Sequence, residues 1–142
     1  MNGLQRHEVC LTELDVVRIE RLLQDVLRRM PAERPSVQVL EGRLDAAEIV
    51  HASCIEPDVV TMNSTVVLTD VATQEATTVV LAYPQDADPE RSRVSVLSPV
   101  GRALIGARIG DLLRVPVPGA RVKEIVVSAI PYQPEANGRY DL

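Results

Sequence analysis

Apolar positions follow two different rhythms along the chain. From Thr12 to Arg29, Val16, Ile19, Leu23, Val26 and Met30 recur at alternating spacings of three and four, the seam of an amphipathic helix in a short coiled coil. Thr12 with Asp15 three residues on reads as a capping box, and Arg28 and Arg29 suit the negative end of the helix dipole. Pro31 and Pro35 then interrupt the helix, and Ser36 is expected to cap a second one in which Val37, Leu40, Leu44 and Ala47 keep the same spacing. The two seams predict an antiparallel helical hairpin, with a reach of about 27 Å for the first helix at 1.5 Å per residue. A plain helical pair packed flat on the rest of the chain fits the same seams.

After Ile55-Glu-Pro-Asp58 the rhythm changes to strict alternation. Residues 65–70, 77–83, 93–97, 112–117 and 122–130 are β-branched and bounded by turn formers, which predicts an antiparallel sheet of about five strands. Pro116 argues for an edge position, and Pro118-Gly119 joins the last two strands as a tight hairpin. One helix interrupts the strands. Ser98 is its N-cap, Pro99 stands at its first position, Gly106 stops it, and Gly110 turns the chain into the next strand. The fold class expected is α+β, with a helical hairpin over 1–54 and a sheet with one helix over 55–142.

Composition narrows what such a fold can do. The 142 residues contain no Phe or Trp and three Tyr, so the core is aliphatic and offers little to stack on nucleic-acid bases. The net charge is −5, and residues 1–54 and 55–142 are each acidic, with 7 basic against 9 acidic side chains in the first and 8 against 11 in the second. No basic block is available to neutralise a phosphate backbone, so a protein partner is expected rather than direct, sequence-specific nucleic-acid binding. No run approaches the roughly 18 apolar residues of a membrane span, and charges fill the opening stretch where a signal peptide needs apolar residues. A cytoplasmic monomer is expected.

Two motifs invite chemistry. Gly101-Arg-Ala-Leu-Ile-Gly106 resembles the start of a phosphate-binding loop, but Ala107 and Arg108 stand where the lysine and the metal-binding hydroxyl belong, so the glycines are read as helix punctuation. His7-x-x-Cys10 and His51-x-x-Cys54 use every His and Cys in the chain and would meet at the base of a hairpin, where a tetrahedral zinc site is geometrically conceivable. Two free thiols are the expectation for a reducing compartment, with no metal and no cofactor.

The string Ser-Pro-Val-Gly-Arg-Ala-Leu-Ile-Gly over 98–106, followed by Gly110-Asp111, an alternating strand and Pro118-Gly119, resembles the C-terminal domain of the bacterial Gre transcript cleavage and elongation factors. Pro57-Asp-Val-Val-Thr-Met-Asn-Ser64, Tyr83-Pro-x-Asp-Ala-Asp88 and Tyr132-Gln-Pro-Glu135 resemble the narrower Rnk branch, the regulator of nucleoside diphosphate kinase family. The resemblance implies an FKBP-like domain that docks on RNA polymerase at the rim of its secondary channel, with a helical hairpin directed at the channel. It assigns the rim contact to Ser98 and Pro99, with Val100 and Arg102 beside them. The Gre pattern commonly has an acid before Ser-Pro, where this chain has Leu97.

The resemblance also implies that cleavage factors carry acidic residues at the hairpin tip, where carboxylates help hold a catalytic magnesium. Here the tip around Arg29, Glu33 and Arg34 reads Arg28-Arg-Met-Pro-Ala-Glu-Arg34, one carboxylate against three guanidinium groups. The expected function is therefore a non-enzymatic, RNA polymerase-binding regulator that competes with Gre factors without stimulating cleavage. An active cleavage factor remains the alternative. A peptidyl-prolyl isomerase is a further one by fold analogy, with only Tyr83, Tyr132 and Tyr140 to build an aromatic cup.

Overall fold

The computed structural model describes residues 9–119 and 121–140. It is an α+β fold in which a helical N-terminal region is followed by a five-stranded mixed sheet. The first strand, β1 (Cys10–Thr12), leads directly into α1 (Glu13–Arg29); a single 3-10 turn over Pro31–Glu33 connects to α2 (Arg34–Asp45), and β2 (Glu48–Val50) follows. Thr12 caps α1 as its sequence suggests, its Oγ1 accepting the Asp15 N–H at 3.1 Å. Val16, Ile19, Leu23 and Val26 of α1 are buried in one cluster with Val37, Leu40 and Leu44 of α2.

Two details differ from the periodicity. Ser36 is not the cap of the second helix, which begins at Arg34 with Pro35 inside its first turn. A first-turn proline costs no hydrogen bond, because the N–H groups there have no helical partner. Met30 closes α1 at the tip and is half exposed, so the seam ends at Val26. β1 and β2 pair in parallel, Cys10 opposite Glu48 and Thr12 opposite Val50, and so fasten the two chain ends of the helical region together.

The main sheet contains β3 (Thr65–Asp70), β4 (Ala76–Ala82), β5 (Arg93–Ser95), β6 (Leu112–Val117) and β7 (Arg121–Tyr132), in the order β5-β4-β3-β7-β6. The expectation of an antiparallel sheet is corrected at one pair, since β5 runs parallel to β4 with Val80 opposite Arg93. Alternation fixes which face a side chain takes and is silent on strand direction. Direction is set here by the connection 83–92, where two 3-10 turns starting at Pro84 and Pro89 and a left-handed Ser92 (φ 58°) turn the chain back. β6 is an edge strand, as Pro116 requires.

Between β5 and β6 lies α3 (Pro99–Leu104). It approaches the sheet so closely that a Cβ on Gly101 would lie 1.9 Å from the Ser95 carbonyl oxygen, so only glycine fits. Gly106 ends the helix at φ +80°. The aliphatic core is continuous: Leu104 and Ile105, the sheet residues Val66, Leu81, Val115 and Val127, and the buried seams of α1 and α2 form one cluster. Among the described residues no helix is long and apolar enough to cross a membrane.

Candidate functional site

The start of α3 is built by Ser98. Its Oγ accepts the Gly101 N–H at 3.1 Å and donates to the Ser95 carbonyl at 2.7 Å, so the hydroxyl is spent on capping. The Gly101 N–H is thus satisfied within the helix, and Pro99 has none to offer. Pro99 itself is exposed and Val100 half-buried. Arg102 folds back, its Nη1 donating to the Leu97 carbonyl at 2.6 Å. The four residues singled out by sequence thus share one short element, but the two polar ones act largely as its scaffold.

What Val100 adds is a cleft. It joins Leu68, Val79, Val94 and Ile125 around a space of about 180 Å³ between α3 and the sheet, rimmed by Asp70, Glu75 and Lys123. An aliphatic floor with charges of both signs at its rim suits an apolar side chain of a protein partner presented from a polar surface.

The tip residues lie at the other end of the helices. Arg28 and Arg29 both pair with Asp25, at 3.0 and 3.2 Å, the two arginines being exposed and Asp25 half-buried. Asp25 was invisible to a reading of the tip that began at Arg28. It lowers the local charge to three guanidinium groups against two carboxylates, a net +1. Glu33 precedes α2 as its N-cap position and Arg34 opens it, both exposed.

The base of the helical region holds buried polar groups, among them the Asp15 of the expected capping box, whose carboxylate is turned to another partner. Asp15 is fully buried, its Oδ2 accepting the Met62 N–H at 3.1 Å while Oδ1 has no partner. Burial, helped by the negative charge of Glu135, pushes its carboxyl up to about 7. Glu135 is itself buried, accepts from Thr61 Oγ1 at 2.7 Å, and is also raised, again mainly by burial. Tyr83, whose buried hydroxyl is raised by burial and by Asp15, lines a groove of about 660 Å³ beside Arg18, Arg21 and Arg28. A helical-wheel signal for Asp15 existed: it stands four residues before Ile19 and so shares the face of the seam.

On α2, Arg43 reaches the far end of α3. Its Nε donates to the Ile105 carbonyl at 2.7 Å and its Nη2 to the Ala103 carbonyl at 2.9 Å. Burial lowers its pKa from the ordinary arginine value, partly offset by Asp111. No local pattern reveals this contact, since the acceptors are 62 and 60 residues away.

The two H-x-x-C motifs are treated differently by the fold. His7 lies outside the described residues. Cys10 is buried in a small cluster with Ile55 and Val59, Cys54 is exposed, and His51 Nδ1 accepts the Ser53 N–H at 3.1 Å. Tyr83 is buried, Tyr132 ends β7 opposite Thr65, and Tyr140 is exposed.

Comparison with known proteins places this geometry. Residues 55–132 match the family described as transcription elongation factor, GreA/GreB, C-term. The chain is 34% identical to the regulator of nucleoside diphosphate kinase of Escherichia coli over 139 residues, 96% of this chain and 98% of that protein. It is 37% identical to transcription elongation factor GreA of Trichlorobacter lovleyi over 97 residues, 68% of this chain and 61% of that protein. Among solved structures, a prokaryotic transcription elongation factor GreA/GreB from Nitrosomonas europaea superposes with a TM-score of 0.74 at 35% identity, covering 88% of this chain and 100% of that one.

Proposed function

The chain belongs to the transcription elongation factor GreA/GreB C-terminal family, with a near full-length relative in the regulator of nucleoside diphosphate kinase, and we propose that it binds RNA polymerase without stimulating transcript cleavage. In this reading residues 55–142 act as an FKBP-like docking domain at the rim of the secondary channel, through Pro99, Val100 and the cleft beside them. Residues 1–54 act as a helical hairpin that enters the channel. The protein works as a cytoplasmic monomer and competes with Gre factors for the same rim.

The observation that carries the non-catalytic half is the tip. Delivering a magnesium ion to an active centre needs carboxylates free to coordinate it with oxygen. Here Asp25 is held by two guanidinium groups and the tip as a whole is cationic, which repels a divalent cation. Support for docking at α3 comes from its rigidity. A surface preorganised by the Ser98 cap and the close Gly101 contact loses little entropy on binding.

The test is a backtracked elongation complex with labelled RNA. The protein alone should leave the RNA intact, and at saturating concentration it should suppress cleavage driven by an added Gre factor. Pro99→Arg, at an exposed position, should abolish that suppression and weaken polymerase binding at least tenfold while leaving the circular dichroism spectrum unchanged. RNA shortened by this protein alone overturns the non-catalytic reading; undiminished Gre-driven cleavage overturns the competition.

A further inference from the structure

We propose that Arg43 is a positioning residue that fixes the direction of the α1–α2 arm relative to the docking helix α3. Among the polar ties between the arm and the sheet region, two stand on different helices. One is on α1, where Asp15 accepts the Met62 N–H. The other is on α2, where Arg43 spans the Ala103 and Ile105 carbonyls. An arm tied at one point can pivot about it; a second tie on the other helix removes that freedom.

The acceptors are suited to the task. One is the Ala103 carbonyl in the last turn of α3, at the negative end of its dipole, and the other belongs to the residue that caps it, Ile105, so a guanidinium there makes charge-assisted bonds. The same end of α3 also holds the strand that starts the arm. The Gly106 carbonyl accepts the Cys10 N–H of β1 at 3.3 Å, and the Gly106 N–H donates to Val60 at 2.9 Å. A Cβ at Gly106 would come within 2.4 Å of a Val9 methyl, so this junction is packed without slack. Docking end and arm end are thus opposite termini of one short helix, and whatever sits at Pro99 is rigidly related to the arm.

The mechanism asks for arginine specifically. A planar fork reaches two carbonyls at once, whereas a lysine ammonium on a flexible stem satisfies one without fixing an angle. The consequence for polymerase rests on the docking function proposed above: an arm of unfixed direction would leave docking and the resulting competition intact and lose only its defined path into the channel.

The test separates these two layers. Nitroxide labels are placed on Ala32→Cys at the tip and Thr73→Cys in the β3–β4 turn, both exposed, in a Cys54→Ser background. Pulsed electron-electron resonance on the free protein, at a temperature where circular dichroism reports it folded, should give one narrow distance distribution. Arg43→Met should widen it at least twofold or add a second population. Arg43→Lys should do the same to a smaller degree, and it carries the test if the methionine variant unfolds. Distributions that superimpose on the unsubstituted protein would overturn the proposal, whatever the change in thermal midpoint. With polymerase, both variants should bind within twofold of wild type and, because suppression follows from occupancy of the rim, suppress Gre-driven cleavage as fully at saturation. Binding weakened tenfold or more would also overturn it, since Arg43 would then act on docking itself. If wild type fails to bind polymerase, the docking function fails, and the distance measurement still decides the role of Arg43.

Discussion

In the helical arm burial runs along a line, whereas in the sheet it fills a volume. Val16, Ile19, Leu23 and Val26 meet Val37, Leu40 and Leu44, and away from the base the remaining faces of both helices are solvated. In the sheet, strands that are distant in sequence are hydrogen-bonded on both sides, and α3 closes on them with the Gly101 backbone contact. Isolated helices of this length are marginal in water, so the arm depends on its single seam and on what grips its base. The lesson is that the sheet is held by many elements at once, whereas the arm rests on one seam and a few polar groups at its base.

Removing one layer of the seam is the severest test of that contrast. Leu40 is fully buried, and Leu40→Ala should cost about 3 kcal/mol from lost burial and the cavity left behind. Because the seam shares its cluster with Val66 and Leu104, chemical denaturation should still be a single transition. Two transitions, with the sheet unfolding at its original midpoint, would show the arm to be an independent unit.

A smaller effect is expected at the base. Asp15 has a folded-state pKa of about 7 against an ordinary 3.8, so between these values the folded state holds a proton that the unfolded state has released. The contribution to stability is complete below about pH 4 and is lost as pH rises through 7. Glu135 acts in the same direction, while Arg18 and the Met62 N–H oppose it. Asp15→Asn keeps an acceptor for Met62 and removes the charge. It should stabilise the protein by on the order of 1–2 kcal/mol at pH 8, and flatten the decline between pH 5 and 8 in a denaturation series. An unchanged decline would place its origin elsewhere.

The smallest effect belongs to the tip. Asp25→Asn breaks two exposed ion pairs and should change stability by less than about 0.5 kcal/mol, read as a thermal shift of a few degrees at most. It raises the tip charge from +1 to +2 at almost no structural cost. A large loss of stability would mean that the pairs do more than neutralise the tip.

How much of this was legible in the sequence follows the same division. The arm was readable because helical periodicity is local: the seam, the Thr12 cap and the tip prolines all announce themselves within a few residues. The punctuation of α3 was readable for the same reason, from Ser98 to the left-handed Gly106 and Gly110. The parallel pairing of β5 was not, because strand direction depends on the turns between strands. Nor was the β1–β2 pair, whose three-residue strands are too short to show a period. The polar ties were hidden most completely. Arg43 looks like any solvated helix residue until its acceptors are known, and Asp15 looks like half of a capping box until its bond to Met62 and the nearby Glu135 are seen.

The margins of the sheet have a consequence for crowding. A five-stranded sheet has two open edges, each a template on which a stray strand from another molecule could add. At one margin β5 is only three residues long, hemmed by the left-handed Ser92 and the Ser98 turn. At the other, β6 presents exposed Arg114 and Pro116 in its middle, a charge and a missing donor. Neither margin offers an uninterrupted ladder, so even at high concentration this sheet gives no ready template for edge-to-edge polymerisation.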